Sequence, residues 1–320
     1  MSLEEFLGEW NNSSDYVRVQ TSGSTGAPKQ MLVEKRRMLA SARITCDFLG
    51  LKEGDTALLC MSLDYIAGKM MVVRSIERGL RLMTVEPSGH PLAVTPCVTF
   101  AAMVPMQVYN SLQVPEERER LKAIRHLIIG GGAIDDALAE ELKDFPHAVW
   151  STYGMTETLS HIALRRLNGP EASEWYTPFP SVKVSLSDEG CLIIDAPEVC
   201  AERLVTNDIA ELTQRGRFRI LGRKDNVICS GGIKIQAEEV ERQLKSRLRV
   251  PHIITKAPDP KFGERVVILT EGDVEEVRTV CQEVLPKYQQ PRDYIHVDRI
   301  PLTETGKPAR KDAESIAKKR

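Results

Sequence analysis

The 320-residue chain has few aromatic residues and no excess of positive charge. Phe, Trp and Tyr make up 5% of the residues, which is too few for a surface that stacks nucleic-acid bases. Lys and Arg number 43 against 45 Asp and Glu, so the formal net charge is -2 and no overall positive field attracts nucleic acid or an anionic membrane. Any phosphate that this chain binds must therefore be held by a local arrangement of groups.

The sequence also lacks cysteine pairs, long apolar runs and a basic, apolar start. Its seven cysteines are odd in number and form no C-x-x-C pair, so reduced thiols are favoured over a disulfide framework or a zinc site. No uninterrupted apolar run approaches the roughly 18 residues that a membrane span needs. The acidic segment from Met1 to Asn12 does not resemble a signal peptide. We therefore expect a cytoplasmic protein without a membrane span.

Apolar stretches of strand length alternate with helical patterns through the first two thirds of the chain, which is typical of an α/β fold. The pattern changes to short strands and turns near residue 188, and helices resume after a glycine-rich turn at Ser230–Gly232. A boundary near residue 224 is therefore predicted. It gives a large N-terminal α/β domain, residues 1–224, and a small C-terminal α+β domain, residues 225–320, and interfaces between such modules are mobile by default.

The predicted elements follow from hydrophobic period and turn residues. Strands are predicted at Tyr16–Gln20, Ala57–Ser62, Arg81–Val85, His126–Ile129, Ala148–Ser151, Val182–Leu186, Cys191–Asp195, Phe218–Leu221, Ile253–Ala257, Arg265–Thr270 and Tyr294–Val297. Helices are predicted at Glu34–Leu49, Asp135–Lys143, Ala237–Leu248 and Asp273–Val284. On the first of these helices Met38, Ala42, Thr45, Cys46 and Leu49 can share one face.

The segment Thr21–Lys29, T-S-G-S-T-G-A-P-K, follows a predicted strand and contains four hydroxyl side chains and two glycines. Backbone N–H groups and hydroxyls in such a loop can converge on phosphate oxygens, and Lys29 adds a cation. It is not a Walker A loop, because G-K-[ST] is absent and Pro28 disfavours helix at Ala27. The alternative is a surface linker, although flexible linkers rarely contain a proline-lysine pair after a strand.

This loop and four further motifs resemble, in order, those of the acyl-adenylate-forming superfamily of acyl-CoA synthetases and adenylation domains. The further motifs are Gly130-Gly131-Gly132-Ala133 with Tyr153-Gly154-Met155-Thr156-Glu157; Thr206-Asn207-Asp208; Gly222-Arg223-Lys224-Asp225 with residues 231–235 and 238–241; and Pro301-Leu302-Thr303-Glu304-Thr305-Gly306-Lys307. Each motif alone is a weak signal, but five in one order over residues 21–307 are a strong one.

The resemblance implies an enzyme that joins a carboxylate to the α-phosphate of ATP and expels pyrophosphate. The nucleotide would be bound by Thr21, Ser22, Gly23, Ser24, Thr25, Gly26, Lys29, Gly131, Gly132, Ala133, Tyr153, Gly154, Met155, Asp208 and Arg223. Thr156 would hydrogen-bond the α-phosphate, Glu157 would hold Mg²⁺, and Lys307 would bridge the reacting carboxylate and the α-phosphate. Asp225 would be the hinge at which the small domain rotates, so that Lys307 leaves and the CoA thiol enters.

Each of these residues has a simpler alternative. A threonine-glutamate pair is often only a helix start, and a lysine near the C-terminus is usually a solvated charge. Asp225 could be an ordinary turn residue. The Gly130–Gly132 turn could be a dinucleotide fingerprint, but Asp135 occupies the position of its third glycine.

The acid-binding side resembles the o-succinylbenzoate-CoA ligase subfamily. The run from Asp64 to Arg74 aligns with the family's F-H-x-x-G segment, and Arg74 lies where that subfamily has an arginine for a substrate carboxylate. The segments Val104–Gln107 and Tyr153–His161 are most like the same subfamily. The resemblance implies a dicarboxylic acid, with one carboxylate activated and the other anchored by Arg74. Further substrate residues are Lys69, Tyr65 and Ser160. A structural ion pair of Arg74 on a helix is the alternative.

Three departures from the family limit the comparison. The phosphate loop begins at residue 21, whereas typical members have a sizeable portion before it, so we expect a shortened large domain. Tyr65 replaces the usual histidine, and Asn207 replaces the glycine of T-G-D. The shortened domain would close its acid pocket alone or as a homodimer.

The expected function is therefore that of an o-succinylbenzoate-CoA ligase in menaquinone biosynthesis, which uses ATP, Mg²⁺, a small carboxylic acid and CoA. Another aryl or fatty acid, or a carrier-protein thiol as acceptor, remains open. A nucleotide-binding protein without turnover is the alternative from a different class.

Overall fold

The computed structural model describes residues 1–20, 30–94, 97–132, 134, 136–303 and 308–319. Its contacts divide the chain into two compact units. The first unit comprises Met1–Ser185, Ile194–Leu204 and Leu212–Arg219, and the second comprises Leu186–Ile193, Val205–Glu211 and Ile220–Arg320. The domain boundary near residue 224 stays a prediction. No helix in the described ranges is both long enough and apolar enough to cross a bilayer.

The first unit contains a two-stranded antiparallel sheet and a seven-stranded mixed sheet. The small sheet pairs β1 (Tyr16–Gln20) with β2 (Gln30–Glu34). The large sheet contains β3 (Thr56–Leu59), β4 (Arg81–Thr84), β5 (Phe100–Met103), β6 (His126–Ile129), β7 (Ala148–Gly154), β8 (His161–Arg166) and β9 (Thr177–Pro178). Its order is β4-β3-β5-β6-β7-β8-β9. The first five strands in this order are parallel to one another, and β8 is antiparallel to β7.

In the described ranges the first unit has six helices, one before β1 and five between its strands. They are α1 (Leu3–Asn11), α2 (Lys35–Leu49), α3 (Ile66–Arg78), α4 (Pro105–Gln113), α5 (Pro115–Ala123) and α6 (Asp136–Leu142). Ser2 and Glu5 form a capping box that starts α1. Gly50 and Gly79 end α2 and α3 in the left-handed conformation, with φ of 66° and 65°, which glycine adopts without steric cost.

The main core of the first unit lies between the central strands and α4, α5 and α6. Leu58, Leu127 and Leu121 are fully or almost fully buried in it, together with Val108 and Leu142. Burial of each such leucine side chain contributes roughly 2 kcal/mol. The expected mixed α/β fold is confirmed.

The chain order places a topological switch point between β3 and β5. From β3 the chain passes through α3 to β4 on one side, and it then returns to β5 on the other side. Ligands of parallel sheets bind outside the carboxyl ends of the strands at such a point. The Gln107 side chain spans it, because its amide donates to the carbonyl oxygens of Cys60 at 3.1 Å and Ser88 at 2.9 Å.

Two further sheets follow in the chain. A four-stranded sheet has the order β10 (Lys183–Leu186), β11 (Cys191–Asp195), β12 (Leu204–Leu212), β13 (Phe218–Arg223). A five-stranded sheet contains β14 (Val227–Ser230), β15 (Ile233–Gln236), β16 (His252–Asp259), β17 (Gly263–Thr270) and β18 (Asp293–His296), in the order β15-β14-β17-β16 with β18 parallel to β17.

Helices α7 (Ala237–Lys245), α8 (Val274–Val284) and α9 (Arg310–Lys318) cover the five-stranded sheet. Successive residues of β17 point to opposite faces, so Ile268 packs in the cluster that contains Val240 and Val277, while Val267 packs in the cluster that contains Ala313. The second unit therefore has a hydrophobic cluster on each face of this sheet.

Candidate active site

The predicted adenine turn and the Y-G-x-T-E motif lie at one edge of the large sheet. Gly130 follows β6, and Tyr153 and Gly154 end β7; the two strands are parallel neighbours, so their carboxyl ends share this edge. A Cβ on Gly130 would lie 2.3 Å from the Thr152 hydroxyl oxygen, and Gly131 has a φ of 79°. Glycine is therefore required where this turn approaches β7.

Thr156 and Glu157 lie on the 3₁₀ turn Thr156–Thr158 that follows β7, and the Glu157 side chain is exposed. In the described ranges, no basic group lies within ion-pair distance of Glu157, and no three His, Cys, Asp or Glu residues are grouped so that they could hold a metal ion. A single carboxylate fits Mg²⁺, because this ion keeps several waters and is held largely by substrate phosphates.

A strained turn directly follows this motif. Leu159 is buried and has a φ of 64° and a ψ of -37°. The Ser160 N–H donates to the Thr158 carbonyl oxygen at 2.7 Å, which closes a γ-turn of the rare, strained kind. The Thr158 hydroxyl oxygen lies 2.8 Å from the Ser160 carbonyl oxygen and accepts from the Met155 N–H at 3.1 Å. Strain of this kind persists where the surroundings fix the backbone, and it is concentrated at functional sites.

Arg74 is a buried cation on α3, with 2% of its surface exposed. Its Nη2 donates to the Ser160 hydroxyl oxygen at 2.6 Å, and its Nη1 lies 3.8 Å from the Met71 sulfur. Within the described part of the chain, its Nε has no hydrogen-bond partner and no carboxylate lies at ion-pair distance from the guanidinium. Burial lowers the pKa of Arg74 to about 10, so the group remains charged at neutral pH.

The other predicted acid-site residues, Lys69 and Tyr65, have different surroundings. The Lys69 ammonium, which is buried, donates to the Arg18 carbonyl oxygen and lies 5.7 Å from the centre of the Phe6 ring. Burial lowers the pKa of Lys69. Tyr65 is the N-cap residue of α3 and is half-buried. The structure thus brings Arg74 and Ser160 together and gives Lys69 a different set of contacts.

Three predicted residues meet within the second unit. Arg223 donates to Asp208 at 3.1 Å and to Asp225 at 3.0 Å, and the Asn207 amide donates to the same Asp225 oxygen at 3.4 Å. Burial alone lowers the pKa of Arg223, but its hydrogen bond to Asp225 and the nearby carboxylates raise it on balance. Thr206 accepts from the Asp208 N–H at 3.1 Å and so helps to fix the backbone of that aspartate.

Nine of the predicted site residues lie outside the described residues. They are Thr21, Ser22, Gly23, Ser24, Thr25, Gly26, Lys29, Ala133 and Lys307.

Two polar residues join the Arg74–Ser160 contact and were not among the predicted site residues. His161 lies beside Ser160, and Thr45 lies on the buried face of α2. A sequence signal exists for Thr45, because it is a polar residue on an otherwise apolar helical face. That signal indicates a buried hydrogen bond but does not identify the partner.

Comparisons with known proteins give a consistent family assignment. Residues 10–205 match the AMP-binding enzyme family. The chain is 26% identical to a 2-succinylbenzoate–CoA ligase of Bacillus thuringiensis subsp. konkukian over 93% of this chain and 69% of that protein.

Solved structures are similar over almost the whole chain. The acyl-CoA synthetase (AMP-forming)/AMP-acid ligase II-like protein from Dyadobacter fermentans is 32% identical, with a TM-score of 0.66 over 96% of this chain and 91% of that one. The o-succinylbenzoate CoA synthetase from Bacillus subtilis in complex with its acyl-adenylate intermediate is 25% identical, with a TM-score of 0.78 over 92% of this chain and 68% of that one.

Proposed function

Because the chain belongs to the AMP-binding enzyme family, we propose that it is an ATP-dependent, AMP-forming ligase that joins 2-succinylbenzoate to CoA. In the first step an oxygen of the acid's carboxylate attacks the α-phosphorus of ATP, and the bond to pyrophosphate breaks. In the second step the CoA sulfur attacks the acyl carbonyl carbon, and AMP leaves. The 26% identity to a curated 2-succinylbenzoate–CoA ligase supports this choice of acid, which belongs to menaquinone biosynthesis.

The observation that carries the choice of a dicarboxylic acid is the buried, unpaired guanidinium of Arg74. Taking a charge out of water is costly unless an opposite charge and hydrogen bonds compensate. Within the described part of the chain no carboxylate does so. The distal carboxylate of the acid supplies the missing charge, and the free Nε–H supplies a donor for it. An internal ion pair for Arg74, the simpler alternative, has no acidic partner among the described residues.

The adenylation step needs two anions to be brought together. Thr156 donates to the α-phosphate, and Lys307 bridges that phosphate and the reacting carboxylate, which offsets their repulsion. Glu157 would hold a Mg²⁺ ion, which when bound would shield the charge of the triphosphate. Asp208 accepts from the ribose hydroxyls, and Arg223 donates to the same sugar. The phosphate loop, Thr21–Lys29, holds the outer phosphates.

The thioester step requires room for the CoA thiol at the acyl carbonyl. We place the hinge that provides this room at Asp225, between β13 and β14. Rotation there withdraws Lys307 after adenylation.

The test is a panel of carboxylic acids offered with ATP, Mg²⁺ and CoA. We expect pyrophosphate release that depends on 2-succinylbenzoate, and mass spectrometry should detect its CoA thioester with AMP. Glu157→Gln should lower the rate about a hundredfold or more, since it removes the charge that holds the metal. A matched control is Glu171→Gln on an exposed loop.

Other outcomes of the same panel separate the rival functions. A thioester with another aryl or fatty acid, and none with 2-succinylbenzoate, would reject the proposed acid and keep the ligase chemistry. Pyrophosphate release without a CoA product would indicate a carrier-protein thiol as the acceptor. No acid-dependent pyrophosphate release would leave a nucleotide-binding protein without turnover.

A further inference from the structure

A chain of hydrogen bonds extends from Arg74 into the interior of the first unit. Arg74 Nη2 lies 2.6 Å from Ser160 Oγ, which lies 3.2 Å from His161 Nδ1. His161 Nε2 lies 3.1 Å from Thr45 Oγ1, which lies 3.1 Å from the Ser41 carbonyl oxygen one turn earlier in α2. Arg74, His161 and Thr45 are buried, and the four contacts join α2, α3 and β8.

The chemistry of the two ends fixes the direction of the bonds at Arg74 and at Thr45. A guanidinium can only donate, and a carbonyl oxygen can only accept. Thr45 must therefore donate to Ser41 and accept from a His161 Nε2–H. When the imidazole is neutral, its Nδ1 is then an acceptor for the Ser160 hydroxyl, whose oxygen is left to face Arg74. With a neutral ring, this is the arrangement in which all four contacts are hydrogen bonds.

In an imidazolium the Nδ1–H would instead donate to the Ser160 oxygen, and the Ser160 hydroxyl proton would have to find another acceptor. Burial, and then the charge of Arg74, hold the pKa of His161 well below its usual range. Phe179, directly after β9, also packs against the imidazole, with the two ring centres 5.6 Å apart. The Phe179 side chain carries no charge. The surroundings therefore favour the neutral form, in which the Ser160 hydroxyl donates to Nδ1.

The backbone holds Ser160 as firmly as the side chains do. Ser160 leaves the strained γ-turn at Leu159, and a Cβ on Gly154 would lie 2.2 Å from the Ser160 carbonyl oxygen. The position of Ser160 is thus fixed by its backbone, and the Arg74 side chain takes the orientation in which it can donate to Ser160.

We propose that Thr45 and His161 are positioning residues that fix the Ser160 hydroxyl, so that Ser160 holds Arg74 with its Nε–H directed to the distal carboxylate of a dicarboxylic acid. Neither residue touches the acid; they set its selectivity through Ser160 and Arg74. The inference rests on the proposed function, because it assumes that the acid carries a second carboxylate.

The test compares one diacid with two monoacids that each lack one of its carboxylates. The diacid is 2-succinylbenzoate, and the monoacids are 4-oxo-4-phenylbutanoate and 2-butanoylbenzoate. The measured quantity is the selectivity ratio, which is kcat/KM for the diacid divided by kcat/KM for the better monoacid. This ratio cancels losses of folded enzyme and of general activity, which a purely structural role would produce.

The first variant pair is Thr45→Val and Thr45→Ser. Valine keeps the shape of threonine but offers no acceptor to the His161 Nε2–H, so the selectivity ratio should fall about tenfold. Serine keeps the hydroxyl, and its ratio should stay near the wild-type value. The ¹⁵N chemical shifts of the imidazole ring should show the Nε2–H tautomer of His161 in wild type and in Thr45→Ser. In Thr45→Val they should show a mixture of tautomers.

The second pair is His161→Asn and His161→Gln, which keeps the inference testable if a Thr45 variant fails to fold. Asparagine can place its carbonyl oxygen near the position of Nδ1 and accept from Ser160, whereas glutamine places its amide near Nε2 and leaves Ser160 without an acceptor. The ratio should therefore fall further in His161→Gln than in His161→Asn.

The outcomes separate this inference from the proposed function. A wild-type enzyme that does not prefer the diacid rejects both. A wild-type preference that survives in Thr45→Val and in His161→Gln rejects the positioning role alone. Equal losses for the diacid and the monoacids in these variants also reject it, because they indicate a structural role.

Discussion

At the scale of single residues, the proposed acid site contains polar groups that are buried and, within the described part of the chain, only partly paired. Arg74 contributes a charge, and Ser160 and His161 contribute neutral hydrogen-bonding atoms. Arg74 therefore presents a positive charge in a fixed position, as the proposed binding of an anion requires. Such preorganisation lowers the ordering cost of binding.

Replacing Arg74 should weaken acid binding much more than ATP binding. Arg74→Ala removes the charge that compensates the distal carboxylate, so the KM for 2-succinylbenzoate should rise roughly 10- to 100-fold. The KM for ATP should change by less than about threefold. Arg78→Lys is the matched control, because Arg78 lies on the same helix and pairs with Asp47 at the surface. An unchanged acid KM in Arg74→Ala would assign Arg74 to structure alone.

The low pKa of His161 predicts a loss of stability in mild acid. The unfolded chain takes up a proton at about pH 6.5, while folded His161 does not, so the free energy of unfolding should fall below that pH by up to about 1.4 kcal/mol per pH unit. Above about pH 6.5 both states are neutral and the contribution is constant. In His161→Gln this dependence should be weaker.

Urea titrations between about pH 7.5 and pH 5.5 measure this dependence. All three tryptophans, Trp10, Trp150 and Trp175, lie in the first unit, so their fluorescence follows the unit that contains His161. Burial also lowers the pKa of His126. Because both proteins contain His126, its contribution cancels when the pH dependence of wild type is compared with that of His161→Gln. Identical slopes in the two proteins would contradict the assigned pKa of His161.

At the scale of elements, the turn between β7 and β8 has the least room for change. Gly154 ends β7 at a bulge, where β8 crosses so closely that a Cβ on Gly154 would lie 2.2 Å from the Ser160 carbonyl oxygen and 2.5 Å from the His161 Cα. Both neighbours are backbone atoms and cannot rotate away. The turn must therefore shift if any side chain is added.

Gly154→Ala should consequently destabilise the protein by about 1–3 kcal/mol and move Ser160 away from Arg74, which lowers the selectivity ratio as well. Gly8→Ala is the matched control, because a Cβ on Gly8 in α1 has nothing within 4 Å and alanine favours a helix by up to about 1 kcal/mol. Urea denaturation of both variants checks the pair. Equal stability of Gly154→Ala and wild type would show that the turn can relax.

The elements also show where sequence patterns are sufficient. Strands β1, β6 and β11 have the predicted bounds, because each has a clear apolar pattern and ends at turn residues. Strand β5 was not predicted, because all four of its residues are buried and such a run has no alternation. Strand β7 is longer than predicted: Gly154 indicates a turn in sequence, but pairing with His161 continues the ladder through it.

The candidate site was predictable where it depends on motifs and unpredictable where it depends on packing. The sequence indicated Arg74 and Ser160 individually. Their contact follows the turn at Leu159, whose positive φ no propensity favours, and it continues through His161 to a threonine 29 residues before Arg74. A single sequence has no signal for a hydrogen bond between Thr45 and His161, because the chain reaches it only through tertiary packing.

At the scale of the whole molecule, the predicted residues are distributed over two units. The acid-site and motif residues Arg74, Thr156 and Ser160 belong to the first unit, while Asp208 and Arg223 belong to the second. In the second unit Arg310, at the start of α9, donates to Glu241 at 2.7 Å and to the Ile254 carbonyl oxygen at 2.9 Å. This pair fixes the chain just after the predicted adenylation motif.

Lys307→Ala should separate the two half-reactions. Loss of the cation should lower acid-dependent pyrophosphate release by at least about a hundredfold, while thioester formation from synthetic acyl-adenylate and CoA should change by less than about threefold. Rapid-quench assays of each step measure this, and Lys319→Ala, at an exposed position after α9, is the control. Equal losses in both steps would reject the role of Lys307 as a clamp for adenylation.

Thr45 lies on α2, far along the chain from Ser160, whose hydroxyl we propose that it helps to fix. This separation has a practical consequence for protein engineering. A library that varies Thr45 and the adjacent buried face of α2 would change the acid preference while every residue of the adenylation motif keeps its identity. New acyl-CoA products could then be sought without first rebuilding the chemistry that makes them.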